Sequence, residues 1–285
     1  LGIITNVSYA HAKNFKNLSD IAFAKSEIID NIKSGGTIVL NKDDKFFNFF
    51  EKKALKRNLK IISFGTSKKC EISFKKVIKN KNSFKLIIHI YNKKKIFFIK
   101  KNFLSYLPNI LAATAVLSNY INAEKLNKNL FYNLKLLSGR GNLTKLNFND
   151  KVINLIDESY NSNPLSLKFS INNFDSLFSK NNKKYVLLGD MLELGKFSRK
   201  LHSNLSKHIN SSSIDKFHVY GRFVKETYKK IKKIKKGNIF SEQHQINDLI
   251  VKELNNNDYL MIKGSNSTGL NKFVQKLKKN NLHAL

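Results

Sequence analysis

The chain has 285 residues, 41% of them hydrophobic, with one cysteine and a formal net charge of +32. That is room for roughly two domains with real cores. The single Cys70 excludes an intrachain disulfide framework and fits a reducing cytoplasm, and with no run of 18 apolar residues no membrane-spanning helix is expected. The charge is nearly all lysine, arginine standing only at Arg57, Arg140, Arg199 and Arg222, and it is scattered among asparagines. Arginine is the better bidentate reader of phosphate and guanine, so the pattern argues for solvated lysine faces and weak attraction to polyanions over a dedicated nucleic-acid surface.

The chain starts on Leu1, with LGIIT reading as a strand already under way, and an N-terminally incomplete protein is expected. Ser19 or Asp20 can cap a helix that runs to about Asn31, and Gly35-Gly36 supply a stop. Ile21, Ile28, Ile29 and Ile32 share one face of it. Lys25 falls on that same face: either its stem packs while the ammonium reaches water, or the lysine is there for chemistry. His11 stands fourteen residues before it.

TIVL is a buried-strand run followed by NKDD; a helical stretch covers about 45–58, and KIISF is the next strand. From 71 to 101, ISFKKVI, FKLIIHIY and KIFFIK are parted by Asn/Lys turns and read as a small antiparallel sheet. Pro108 opens a helix over 108–122, and a second helix is expected to end near Leu137. SGRGN at 138–142 is the strongest break, dividing a first domain, 1–139, from a second, 140–285. Beyond it, apolar runs at 152–156, 185–188, 217–220 and 258–262 alternate with helical patterns. The fold class is therefore α/β: a mostly parallel sheet with a small antiparallel one, then a Rossmann-like, doubly wound domain with ligands at the carboxyl ends of its strands. No internal repeat is evident.

Three of those strands run into polar loops: DESYNSNP from Asp157, GDMLELG from Gly189 and KGSNS from Lys263. Each is open to two readings, a turn with a helix cap or a set of ligand groups at the sheet edge.

Taken together, TNVSYAH with IAFAKSEI, NKDD, SGRGN, IDESYNSNPLS, LLGDMLELG with His202 shortly after, and IKGSN resemble the Mur ligases, in order and at family-like spacing across essentially the whole chain. DESYNSNP and GDMLELG are most similar to the branch that adds D-alanyl-D-alanine to UDP-N-acetylmuramoyl-tripeptide. The resemblance implies a cytoplasmic, monomeric, ATP- and Mg²⁺-dependent ligase of peptidoglycan precursor synthesis, in which a carboxylate takes the γ-phosphoryl group of ATP and an amine then attacks the acyl phosphate. It makes residues 1–139 the later part of the central ATP-binding domain and 140–285 the C-terminal domain. It implies that His11 is a Mg²⁺ ligand and that Lys25, carbamylated by CO₂, helps hold a second Mg²⁺; these two carry the catalytic assignment. It also implies that Asn109 meets adenine, that Arg140 reaches phosphate and Asp157 ribose, and that Asn161, Asn163, Lys263, Gly264 and Ser265 meet the peptide or incoming dipeptide. Asp190 and Glu193 line the same edge.

The chain departs from the family pattern at three points. The phosphate loop G-T-x-G-K-T does not occur in 1–285, and with the uridine-nucleotide domain it is expected upstream of Leu1; the fragment alone is expected not to turn over. Before Asn109 the family's H-N-x-x-N is replaced by SYLPN, leaving Tyr106 as the ring available to stack on adenine. KGSN stands in place of KGSR, removing an arginine that would bind a carboxylate. The rival readings are a sister ligase that adds single amino acids, folylpolyglutamate synthase, and, from another class, a lysine-rich nucleic-acid-binding protein.

Overall fold

The structure, a computed structural model, describes residues 1–81, 83–148, 151–176 and 182–282. The chain forms two compact units, Leu1–Val7 with Phe15–Lys135, and Ser8–Asn14 with Leu136–Leu285.

The first unit is built on one six-stranded sheet in the order β1 (Gly2–Ile4), β2 (Thr37–Asn41), β3 (Lys60–Gly65), β4 (Ile72–Asn80), β5 (Ser83–Ile90) and β6 (Lys93–Ile99). β1, β2 and β3 pair in parallel, and β4, β5 and β6 are antiparallel. The antiparallel part is not a separate sheet: β4 joins β3 in parallel through Phe64↔Ile72 and Gly65↔Ser73. Ile38, Val39 and Leu40 are all fully buried, the signature of a strand covered on both faces. Helices α2 (Phe47–Lys56) and α3 (Leu107–Ser118) pack on β2 and β3.

Helix α1 (Leu18–Asp30) starts earlier than its sequence signals suggest, because Asn17 is the cap: its side-chain oxygen accepts from the N–H groups of Ser19 and Asp20. Ile21, Ala22, Ser26 and Ile29 form the buried face. Lys25 lies within that arc by helical angle, roughly 40° round from Ile21, yet it is exposed, and so is Ile28. The lysine therefore does not pack as part of the apolar stripe, although Ile21 and Ile29, four residues to either side, are buried.

No helix reaches Leu137. After α3 the chain makes a short 3-10 turn at Ala123–Lys125 and then irregular turns. Asparagine is the physical reason: Asn122 accepts from the N–H of Glu124 and Asn127 from that of Asn129, local bonds that compete with a helix. The segment instead lies against β6, where Phe98 donates to the carbonyl of Lys128 and Phe131 meets Phe97 edge-on.

The second unit holds a six-stranded sheet in the order β11 (Lys236–Phe240), β10 (Lys216–Tyr220), β9 (Lys184–Gly189), β12 (Tyr259–Lys263), β8 (Lys151–Glu158) and β7 (Asn142–Phe148). All neighbours are parallel except β7 with β8. Alternate residues feed opposite cores. Val186, Leu188, Phe217 and Met261 pack with Leu167, Ile171 and Phe174 of α4 (Pro164–Ser176) and with Leu205 and Ile209 of α5 (Ser198–Ser211). Tyr185, Leu187, Leu260 and Ile262 pack with Phe273 and Val274 of α8 (Leu270–Leu282) and with Ile246 of α7 (His244–Asp248). Short α6 (Lys225–Lys230) follows β10.

Two strands, β7 and β11, carry no continuous apolar run because both are edge strands; β7 buries only Leu146 and β11 only Phe240. β8 runs two residues further than its apolar core, which puts Asp157 and Glu158 on the strand itself.

Inside the second core, His218 on β10 is fully buried, stacked on Phe240 at 5.6 Å and beside Tyr185. Its Nδ1 accepts from the N–H of Asn238, and its Nε2 has no partner. Burial, helped by Lys216, pushes the imidazole down to about 4 from 6.5. The unfolded chain thus takes the proton first, so stability is full above about pH 6.5, falls as pH drops toward 4, and levels off below it. The depression corresponds to about 3 kcal/mol at most. Urea denaturation followed across that window should show this loss, and His218→Phe should flatten it; an equally steep loss in the variant would assign the acid sensitivity elsewhere.

Candidate active site

β12 lies between β9 and β8, so the loop that leaves it touches the loops of both neighbours. Ser265 performs the joining. Its N–H donates to the carbonyl of Asp190 at 3.0 Å, its Oγ accepts the N–H of Leu192 at 2.8 Å, and the same hydroxyl reaches the carbonyl of Ser162 at 3.4 Å. Lys263, 2% exposed, donates to the carbonyl of Asn161 at 3.0 Å and pairs with Glu158 at 3.4 Å. Burial pushes its ammonium below the ordinary lysine range, with Glu158 opposing the shift. Gly264 approaches Gly189 closely enough that an added Cβ would sit 3.2 Å from its Cα.

The DESYNSNP loop is partly consumed by its own architecture. Asn163 starts α4 by a reciprocal pair with Ser166, each side chain accepting the other's N–H. Asn161 is exposed, its side chain accepting from Ser162. Asp157 is fully buried: one oxygen takes the N–H and hydroxyl of Ser159, the other pairs with Lys278 of α8. In this structure Asp157 anchors α8 and offers no open oxygen to a ribose. Arg140 stands out from the first turn of the unit with its guanidinium 4.4 Å over the Tyr160 ring. Gly139 permits this, since at φ +76 a Cβ there would meet Tyr160 at 2.7 Å.

The second strand-end loop is held from below. His202, fully buried, accepts the N–H of Met191 at Nε2 and donates from Nδ1 to the carbonyl of Ser198, and burial lowers its pKa. The backbone so fixed presents Glu193 in the left-handed region, φ +61. Glu193 meets His11, whose segment belongs to this unit and also lays Tyr9 on Phe197 at 4.9 Å. A carboxylate only accepts, so the imidazole donates from Nδ1, and in the neutral ring the lone pair then stands on Nε2.

Lys25 and Asn109 belong to the first unit. Both are exposed; Asn109 sits in the first turn of α3 just after Tyr106, whose ring packs on Phe103. Among the described residues the Lys25 side chain makes no hydrogen bond or ion pair, and no three His, Cys, Asp or Glu side chains converge as a preformed metal cage. Mg²⁺ is compatible with such a donor set, because it keeps waters and substrate phosphates and needs only one or two protein ligands. Glu158, Lys278 and Glu193, which pair with Lys263, Asp157 and His11, carry no sequence signal for those pairings. Each depends on a contact more than 100 residues away.

Residues 1–117 match the Mur ligase middle domain and residues 139–266 the Mur ligase glutamate ligase domain. The chain belongs to the Mur ligase family. It is 27% identical, over 97% of its length, to the UDP-N-acetylmuramoyl-tripeptide–D-alanyl-D-alanine ligase of Buchnera aphidicola subsp. Baizongia pistaciae, of which the match covers 58%. Its fold is that of MurF from Acinetobacter baumannii, with a TM-score of 0.81 at 22% identity over 97% of this chain and 59% of that one. MurF from Thermotoga maritima, solved in complex with ADP, gives 0.80 at 20% identity over 99% and 62%. The chain thus spans about three fifths of the length of these Mur ligase relatives.

Two outcomes test this geometry in the Mur ligase chain itself. Lys278→Ala strands the buried Asp157 carboxylate and should cost about 3 kcal/mol in urea denaturation, most of it regained in the Asp157→Asn, Lys278→Met double variant; additive losses would mean the pair is not coupled. Nitrogen NMR in mildly alkaline buffer should show His11 with its proton on Nδ1, and Glu193→Ala should return it to the Nε2–H form that free imidazole side chains favour.

Proposed function

We propose that this chain is the later part of the ATP-binding domain and the acceptor-binding domain of a UDP-N-acetylmuramoyl-tripeptide–D-alanyl-D-alanine ligase acting in peptidoglycan precursor synthesis. The observation that carries the reading is the convergence of DESYNSNP, GDMLELG and KGSN at one sheet edge, tied together by Ser265, in a chain whose relatives of that name align along nearly its whole length. Chemically, the tripeptide carboxylate takes the γ-phosphoryl group of ATP, releasing ADP. The amine of D-alanyl-D-alanine then attacks the acyl phosphate carbonyl, loses a proton, and expels phosphate.

In this reading His11 offers Nε2 to Mg²⁺ while Glu193 holds its other nitrogen, and Lys25 takes part as a carbamate anion. Bound Mg²⁺ supplies neutralisation of phosphate charge. Arg140, held flat on Tyr160, is placed to meet a phosphate, and Asn109 to meet the adenine. Lys263 and Ser265 hold the loops that frame the acceptor, and Gly264 keeps the strand ends close. Exclusion of the nucleic-acid reading rests on the exposed lysines being dispersed over both units.

The protein carrying this chain, given ATP, Mg²⁺, UDP-N-acetylmuramoyl-tripeptide and D-alanyl-D-alanine, should release ADP only when all are present. Lys25→Ala should lower that rate by roughly 1000-fold, with partial rescue by a short carboxylic acid. Turnover with a single amino acid, or with a folate and glutamate, and none with the dipeptide would replace this reading by one of its sister activities.

A further inference from the structure

The KGSNS loop carries no charged side chain after Lys263, which is itself buried and committed to Glu158 and Asn161. A cavity of about 380 Å³ nevertheless opens beside that loop, at the carboxyl ends of β9, β10, β11 and β12. Ser267 and Thr268 line one side, Ser241 and Tyr220 another, and Arg222 and Lys225 supply positive charge. This is the size of an ordinary small-ligand site. Hydroxyls and two cations make it a receptor for a compact anion, and a planar guanidinium matches a carboxylate better than any other side chain.

The one carboxylate in the wall is already bonded within the fold. Asp190 is buried, and its oxygens take the N–H groups of Arg222 at 3.0 Å and Val224 at 2.7 Å. Gly221 makes that possible: at φ +135, a Cβ there would sit 2.6 Å from the Asp190 carboxyl carbon. Asp190 therefore serves to fold the β10 to α6 turn inward, and this turn carries Arg222 and Lys225 to the cavity. Two other nearby carboxylates are already paired, Glu226 with Lys229 and Glu242 with His244. Leu192 lines the same cavity one residue before Glu193, which meets His11, so the anion site and the His11 imidazole flank a single loop.

We propose that Arg222, assisted by Lys225 and the hydroxyl of Ser267, binds the C-terminal carboxylate of the incoming dipeptide. The assignment rests on the ligase function proposed above. Arg222 then fixes the acceptor at its far end and leaves the amine free to react, so it determines specificity for a dipeptide acid without touching the reacting atoms.

The test compares D-alanyl-D-alanine with D-alanyl-D-alaninamide as acceptor in the protein carrying this chain. Arg222→Ala should raise the KM for D-alanyl-D-alanine by roughly 10- to 100-fold, the range of a charge-assisted pair. The KM for ATP should stay unchanged, and Arg222→Lys should recover part of the loss. The amide should be a poor acceptor for the unaltered protein and no poorer for Arg222→Ala. If the variant ligates the dipeptide with unaltered KM, or discriminates acid from amide as well as the parent, the carboxylate site is overturned while the ligase function stands. If D-alanyl-D-alanine is no acceptor for the unaltered protein, both fall together.

Discussion

Parallel strands that end side by side must send their loops out through one narrow edge, where backbone groups crowd together and water is partly excluded. In the second unit that edge belongs to β9, β12 and β8, and Ser265 on the middle loop satisfies groups on both neighbours. The rest of the site depends on this serine. Its N–H holds the carbonyl of Asp190 and its hydroxyl the N–H of Leu192, which sets the course of the Glu193 backbone. Leaving such groups unmade would cost more than each bond returns when made, so these pairings hold the three loops together, even though the buried Ser162 hydroxyl has no partner among the described residues.

Charge is used there in the same economical way. Asp157, Asp190 and Lys263 are all buried, and each is compensated: by Lys278 and Ser159, by two backbone N–H groups, and by Glu158 with a carbonyl. A buried charge without partners would be driven neutral or unfold its surroundings. The consequence for function is a division of labour. Residues whose charge is consumed inside hold the loops in register, whereas Arg140, Arg222 and the His11 and Glu193 pair stand exposed.

Much of this was legible before any coordinates. Runs such as YVLLG and YLMIK announced buried parallel strands because both faces are covered, and polar loops at their ends announced the functional edge. The misreadings share one cause, the weakness of local pattern where tertiary contact decides. Edge strands β7 and β11 bury one face and lack an apolar run. The asparagines at 122 and 127 favour turns over the helix foreseen near Leu137. Lys25 has the angle of a buried residue but no cover. Arg222 looked like one more basic residue until the β10 turn was seen to bring it beside Ser267 and Thr268.

By itself the amino-acid sequence determined the α/β class, the order of the strand-end motifs and the family to which they belong, because periodicity and short motifs are local properties. The tertiary structure alone decided which polar residues are consumed as structure and which remain available. That choice follows from strand order, and strand order is made by pairings such as Leu260 with Leu155 across β12 and β8 that leave no local trace.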